Sequence, residues 1–256
     1  MNNKIMRSVF TLSFCALGAV WVLVGCGASD TKSGNVVEAG SITGKVVWEG
    51  NAPAMRARSV DADPACVKMH ANDPLMTEHL LVGDDGAFAN IFIQVVSPIP
   101  KGDYPVPTEP VILSQQGCQY TPHVFVVRKG QELAIQNPDA ILHNIHFMPK
   151  KNIEFNKAMS KDKKEISFTP DKAESMFTIK CDVHSWMQAF CAVLDHPFYA
   201  VTGKDGKFSI DNLPPGEYEI EAWHEIPRLE SRRAKVVVKD GEDTELNFSF
   251  SKPTRK

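Results

Sequence analysis

Cys181, His184 and Met187 fall within one stretch, Cys181-Asp-Val-His184-Ser-Trp-Met187. A thiolate, an imidazole and a thioether so close together form a soft donor set. Such donors suit copper, and a trigonal His, His and Cys plane with a weak axial Met is the arrangement of copper sites that move electrons. One imidazole is then still missing. His143, in Asn137-Pro-Asp-Ala-Ile-Leu-His143-Asn144, is the upstream candidate. Zinc also accepts Cys and His, but closed zinc sites gather four Cys or His ligands in close pairs and Met is foreign to them. The set reads as copper.

Fast one-electron transfer requires ligands that barely move between two oxidation states, so the donors need a stiff frame. Phe177-Thr-Ile-Lys reads as the strand that delivers Cys181, and Pro122 to Asn137 as a strand, a turn at Gly130 and a second strand leading towards His143. Nearly every segment after residue 41 reads the same way: short apolar runs punctuated by Gly, Pro, Asn or Asp, with no long amphipathic helix. The expected class is all-β.

The region from about 108 to 195 resembles the cupredoxins of the plastocyanin and amicyanin type. The Cys181, His184 and Met187 spacing is similar to amicyanin's ligand loop, and His143-Asn144 to the upstream ligand and its neighbour in plastocyanin. The resemblance implies a Greek-key β-sandwich holding one type 1 copper, with His143, Cys181, His184 and Met187 as ligands. It also implies that the Asn144 backbone N–H supports the Cys181 sulfur, a contact from outside the ligand set that tunes the metal. In that family the edge of the second His lies near the surface. Trp186 then has two readings: it packs the loop onto the sandwich, or it joins Phe190 and Met148 in an apolar patch where a redox partner, such as a cytochrome or another copper protein, docks.

The flanks carry a second resemblance. Lys204-Asp-Gly206, followed by Leu213-Pro-Pro-Gly216-Glu-Tyr218, is similar to the second half of carboxypeptidase regulatory-like domains, transthyretin-like β-sandwiches related to carbohydrate-binding folds; Ile42 to Trp48 with Gly50 to Pro53 is similar to their first half. Neither half alone has strands enough for two facing sheets. The expectation is one discontinuous sandwich, residues 41–107 plus 196–252, with the cupredoxin of residues 108–195 inserted; a tandem arrangement is the competing division. A carbohydrate- or surface-binding module would need an exposed aromatic row on this sandwich. Trp48, Phe208, Tyr218 and Trp223 are its candidates, all equally suited to a core.

Length and composition set the context. A chain of 256 residues, 43% hydrophobic and 23% charged, has room for one large or two small globular domains. Lys4 and Arg7 precede an apolar run from Val9 to Val24, as in an export signal over residues 1–25. Leu23-Val-Gly-Cys26 resembles a bacterial lipobox, which makes Cys26 a lipidation site, residues 26–40 a tether and the globular part a periplasmic, membrane-anchored one. A retained transmembrane anchor is the alternative. Gly27 is not the Asp associated with inner-membrane retention, so the outer membrane is preferred. Losing two basic residues and no acidic one leaves 26 minus 31, a net charge of −5. No basic patch suggests nucleic acid.

Export leaves Cys66, Cys118, Cys181 and Cys191, and in an oxidising compartment two of them are expected to pair. Cys66 and Cys118 are the candidates, because Cys181 is claimed by the metal and Cys191 sits in the apolar run Met187 to Leu194. His146, three residues after His143 on a strand, faces the other way. His70 and His123 with the two cysteines make a weaker second metal candidate, set below a disulfide beside incidental histidines. His196 and His224 have no nucleophile or orienting group nearby. Lys150, Lys151 and the run Lys157 to Lys164 read as a solvated loop, alternatively as a surface steering an acidic partner. A non-enzymatic electron carrier is the leading expectation. Copper oxidases and nitrite reductases need a further copper centre with its own histidines, and copper delivery or storage is a further alternative.

Overall fold

A computed structural model describes residues 38–252. The segment read as an export signal, Cys26 and most of the expected tether lie outside the described residues. Among the described residues no helix is long and apolar enough to cross a membrane.

The chain is all-β. Its strands run β1 (Gly40–Glu49), β2 (Phe92–Ser97), β3 (Val111–Ser114), β4 (Val124–Arg128), β5 (Leu133–Gln136) and β6 (His143–Met148). There follow β7 (Phe155–Met159), β8 (Glu165–Phe168), β9 (Glu174–Lys180), β10 (Gln188–Leu194) and β11 (Tyr199–Val201). The last are β12 (Lys207–Leu213), β13 (Gly216–Trp223), β14 (Arg232–Val238), β15 (Asp243–Glu245) and β16 (Phe248–Ser251). The α-helix, α1 (Pro64–Met69), lies between β1 and β2.

Strands from the two ends of the chain share sheets. One sheet is ordered β12-β1-β15, with β16 also paired to β1, and another β11-β2-β13-β14. The apolar positions of β1 alternate, and Ile42, Val46 and Trp48 point into one core with Phe88, Ile93, Phe208, Ile220 and Phe250. Two glycines make close approaches there. A Cβ on Gly44 would lie 1.8 Å from the Leu246 carbonyl oxygen, and Gly206, at φ +70°, turns the chain beside Val46.

The middle of the chain forms a five-stranded sheet, β4-β10-β9-β6-β7, and a three-stranded one, β3-β5-β8. Between them lie Tyr120, Ile135, Ile145, Phe147, Ile179 and Cys191. β10 is buried on both faces: Ala189, Cys191 and Val193 point into this core, while Phe190, Ala192 and Leu194 pack outward with Val124, Val126 and Phe92, where β2 of the other sheet pair meets it. That explains the unbroken apolar run seen there, since a strand covered on both sides need not alternate. β7 is an edge strand whose Lys157 is exposed, so part of the lysine-rich stretch is strand rather than loop. A charged residue there blocks edge-to-edge association.

Candidate metal centre

Hairpin geometry gathers the donors at one end of the five-stranded sheet. β9 and β10 are antiparallel, with Gln188 opposite Lys180, so the loop between them must return and carries Cys181 and Met187 back to back. Cys181 N–H donates to the Met187 carbonyl at 3.2 Å, and Met187 N–H to the His184 carbonyl at 2.9 Å. His143 opens β6, which pairs with β9. Its approach is fixed by Asn137, whose Nδ2 donates to the carbonyls of Ile141 and Met159.

The two imidazoles meet Nδ1 to Nδ1 at 2.9 Å, and the Cys181 sulfur lies 3.9 Å from His184 Nδ1. All three are buried, and their donor atoms lie within 4.8 Å of one another. A first-row metal reaches imidazole nitrogen at about 2.0 Å and thiolate sulfur at about 2.3 Å, so one ion can touch donors roughly 4 Å apart. Met187 is buried in the same core as Cys181. The Cys181 sulfur accepts backbone N–H bonds from Asn144, at 3.5 Å, and from His184, at 3.4 Å.

Each ring turns its Nε2 to a carboxylate. His143 Nε2 is 2.9 Å from Asp139 Oδ2, and His184 Nε2 is 3.1 Å from Asp63 Oδ2. With Nε2–H donated in both rings, both Nδ1 atoms present bare lone pairs to each other beside a sulfur held for the thiolate. Only a cation, a proton or a metal ion, relieves that opposition. Two imidazoles and a thiolate, with the Met187 thioether in the same core, are soft donors of the kind that fit copper.

The electrostatics follow from these contacts. Burial opposes ionisation of Cys181, but His143 and the N–H groups of Asn144, His184 and Val183 outweigh it and hold the thiol below its ordinary value. Burial likewise opposes charge on His143, and Asp139 and Cys181 reverse the balance, raising it. Asp139 is lowered against burial by His143 and by the N–H groups of Cys118 and Gly117. His184 and the Ala65 N–H lower Asp63.

Asn144 also ties its surroundings together. Its carbonyl accepts from the Tyr120 hydroxyl, its Nδ2 donates to Asn156 Oδ1 at 2.8 Å, and its side-chain oxygen accepts from Asp182 N–H. His146 points away from His143, to Asp182 at 2.9 Å and Glu154 at 2.8 Å.

Cys66 and Cys118 are joined as a disulfide closing 52 residues. Asp63, Cys66 and His184 converge, as do Cys118, Asp139 and His143. Each trio counts a sulfur already spent on the disulfide, so neither offers a thiolate. His70 lies beside the disulfide, its ring nitrogens near the carbonyls of Asp73 and Gly117, and His123 contacts Gln188 and Glu225; neither histidine joins these trios.

Phe190, Met148 and Trp186, the residues named for an apolar docking patch, lie in different settings. Phe190 is buried between the two sheet pairs, against Trp223 and His123. Met148 is exposed but ends β6 opposite Thr178, whereas Trp186 is half-buried at the metal end, its ring 4.9 Å from His184 and its Nε1–H donating to the Cys118 carbonyl. The three do not form one surface, and Trp186 packs. The exposed ligand edge implied by the resemblance is also absent, for His184 is 1% exposed. The segment between β1 and β2 covers it: Val60, Cys66 and Leu75 pack with Cys118, Ile141 and Trp186. Asp139 had a local signal, four residues before His143. Asp63 had none, being 121 residues from His184.

The aromatics considered for a binding platform are used in packing. Trp48, Phe208 and Tyr218 are buried in the core of the terminal strands, and Trp223 lies on Phe190.

Residues 198–250 match the family model of the BOS complex subunit NOMO1-like, second β-sandwich domain. No curated relative matches the chain. Among solved structures, a copper-containing nitrite reductase from Thermus scotoductus SA-01 is 16% identical with a TM-score of 0.32, the likeness covering 39% of this chain and 26% of that one. The oxidised state of an amicyanin point mutant is 21% identical with a TM-score of 0.30, covering 33% and 81%. A novel purple cupredoxin from Nitrosopumilus maritimus is 16% identical with a TM-score of 0.28, covering 32% and 98%. The chain thus spans about a quarter of the nitrite reductase and most of the two smaller proteins.

Proposed function

We propose that this chain is an exported, membrane-tethered type 1 copper protein that carries single electrons and catalyses no reaction of its own. In this reading residues 108–195 are a cupredoxin domain inserted into a carboxypeptidase regulatory-like sandwich of residues 41–107 and 196–252, and Cys26 bears the lipid. The observation that carries it is the convergence of the two imidazole Nδ1 atoms at 2.9 Å beside the Cys181 sulfur. His143, Cys181 and His184 would hold the ion, with Met187 as the weak axial donor. Copper bound there would accept and release one electron. The Asn144 and His184 N–H groups keep the sulfur charged and fixed, Asp139 and Asp63 fix the rings, and the surrounding core excludes water. The partner is a redox protein such as a cytochrome.

The visible and EPR spectra of the Cu(II)-loaded chain test the reading. An intense thiolate band with narrow copper hyperfine splitting is expected, and Cys181→Ser should abolish the band. An ordinary pale Cu(II) spectrum in the parent chain would sink the assignment. Burial of His184 favours a second reading, copper storage or delivery, because a covered ligand edge slows electron exchange with a redox partner. Electron self-exchange measured beside copper transfer to a chelator separates the two: fast exchange with a retained metal marks the carrier.

A further inference from the structure

We propose that Asp63 is a positioning residue for His184, carried to the copper centre by the segment between β1 and β2; the inference rests on the copper reading above. That segment belongs, by sequence, to the terminal sheet pair, yet its Asp63 Oδ2 lies 3.1 Å from His184 Nε2 on the other pair. The carboxylate is not free to wander. Its Oδ1 accepts the Ala65 N–H at 2.7 Å and so caps α1, with Pro64 in the first turn fixing the helix start. α1 is itself pinned, because Cys66 on it is bonded to Cys118 and its sulfur lies 3.9 Å from His184 Nε2. Trp186 closes another side of the ring, held by its bond to the Cys118 carbonyl.

The chemical consequence has a definite sign. A carboxylate that accepts Nε2–H fixes the tautomer that leaves Nδ1 for the metal and makes the imidazole a stronger donor. A stronger donor beside a fixed negative charge favours the more positive, oxidised metal. His143 receives the same service from Asp139, four residues away on its own sheet pair. For His184 it comes from a remote segment, so that segment both seals the ligand edge and sets the poise of the centre. A redox partner must then act through the segment or beside it, not at a bare His184 edge.

The test uses the full chain in two forms. In the metal-free protein, nitrogen-15 NMR of the His184 ring should find the proton on Nε2, protected from exchange, and Asp63→Ala should speed that exchange at least tenfold. In the copper-loaded protein, Asp63→Asn keeps the helix cap, since Asn caps as well as Asp, but removes the charge. Its thiolate band should persist while the oxidation equilibrium shifts tenfold towards Cu(I), a rise of about 59 mV for one electron. Asp61→Asn, an exposed acid two residues away, should move neither readout. A parent His184 ring without a proton on Nε2, an exchange rate unchanged in Asp63→Ala, or an unchanged potential in Asp63→Asn with its band intact overturns the proposal. If the parent chain shows no thiolate band, the copper reading itself fails, and the ring-proton arm alone decides whether Asp63 positions His184.

Discussion

Buried histidines in the two sheet pairs behave in opposite ways. His143, in the middle of the chain, is 0% exposed, and His196 and His224, at and beyond the junction, are 5% and 3% exposed. Burial alone should push a proton off all three. It does so for His196, and for His224, which burial drives down to about 4. His143 moves the other way because Asp139 and Cys181 outweigh burial. The difference lies in what each ring faces. His196 Nδ1 accepts the Phe198 N–H and His224 Nδ1 the Ile226 N–H, each at 3.2 Å, a local turn that needs a neutral ring. His143 faces a carboxylate on one side and donors on the other. Burial is shared; only the partnered ring is equipped to hold a cation.

This contrast breaks most severely where the terminal core is opened. Phe88 is fully buried and touches Trp48, His224 and Phe250. Phe88→Ala should cost about 3–5 kcal/mol in urea unfolding, while the copper spectrum below the transition stays as in the parent. A changed spectrum would show that the two cores are not separable. The disulfide comes next. Replacing both Cys66 and Cys118 by Ser releases a loop of 52 residues and should cost roughly 4 kcal/mol by chain entropy, read by the same method. A loss below about 1 kcal/mol would mean that the segment over His184 is held by packing alone.

His224 sharpens the contrast through pH. Between pH 6.5 and about 4 the unfolded chain binds a proton that the folded chain refuses at this ring. The stabilising contribution is therefore complete above pH 6.5 and is lost as pH falls towards 4, by up to about 3 kcal/mol. His123 works in the opposite sense. Against burial, Glu225 and Glu78 raise it, so its contribution is present at low pH and lost as pH rises through its folded value. In His224→Asn, unfolding midpoints measured from pH 7 to pH 4 should decline less than in the parent. An equal decline would remove His224 as the source.

The features that sequence reading reached were those carried by local pattern. Period-two alternation in β1 and the apolar run of β10 each follow from what covers the strand, one face or both, and so the all-β class was legible. The candidate donors could be picked out because the hairpin puts Cys181, His184 and Met187 on one short loop, where spacing is nearly geometry. Phe190 shows the limit. An aromatic three residues after a candidate ligand looks available to a partner, but its face depends on which sheet packs against β10, a fact held by β2 and β4 rather than by the loop. The cover on His184 was illegible for the same reason. A polar, irregular stretch with one cysteine gives no direction, and its placement is decided by a disulfide partner 52 residues away.

The smallest effect belongs to His146, and it tests the register on which the site depends. His143 and His146 share β6, and an odd spacing of three sends them to opposite faces of the strand. His143 accordingly lies in the interior, whereas His146 bonds Asp182 and Glu154 at the surface. Exposed ion pairs of this kind contribute about 0–1 kcal/mol, so His146→Ala should change stability by no more than that. Asp182 keeps its bonds from Asn156 and Lys180, and these preserve the loop beside Cys181 when His146 is removed. The thiolate band of the copper-loaded variant should match the parent in position and intensity. Loss of the band would require β6 to be shifted by one residue, since only that brings His146 inward, and the same shift would turn His143 out of the site.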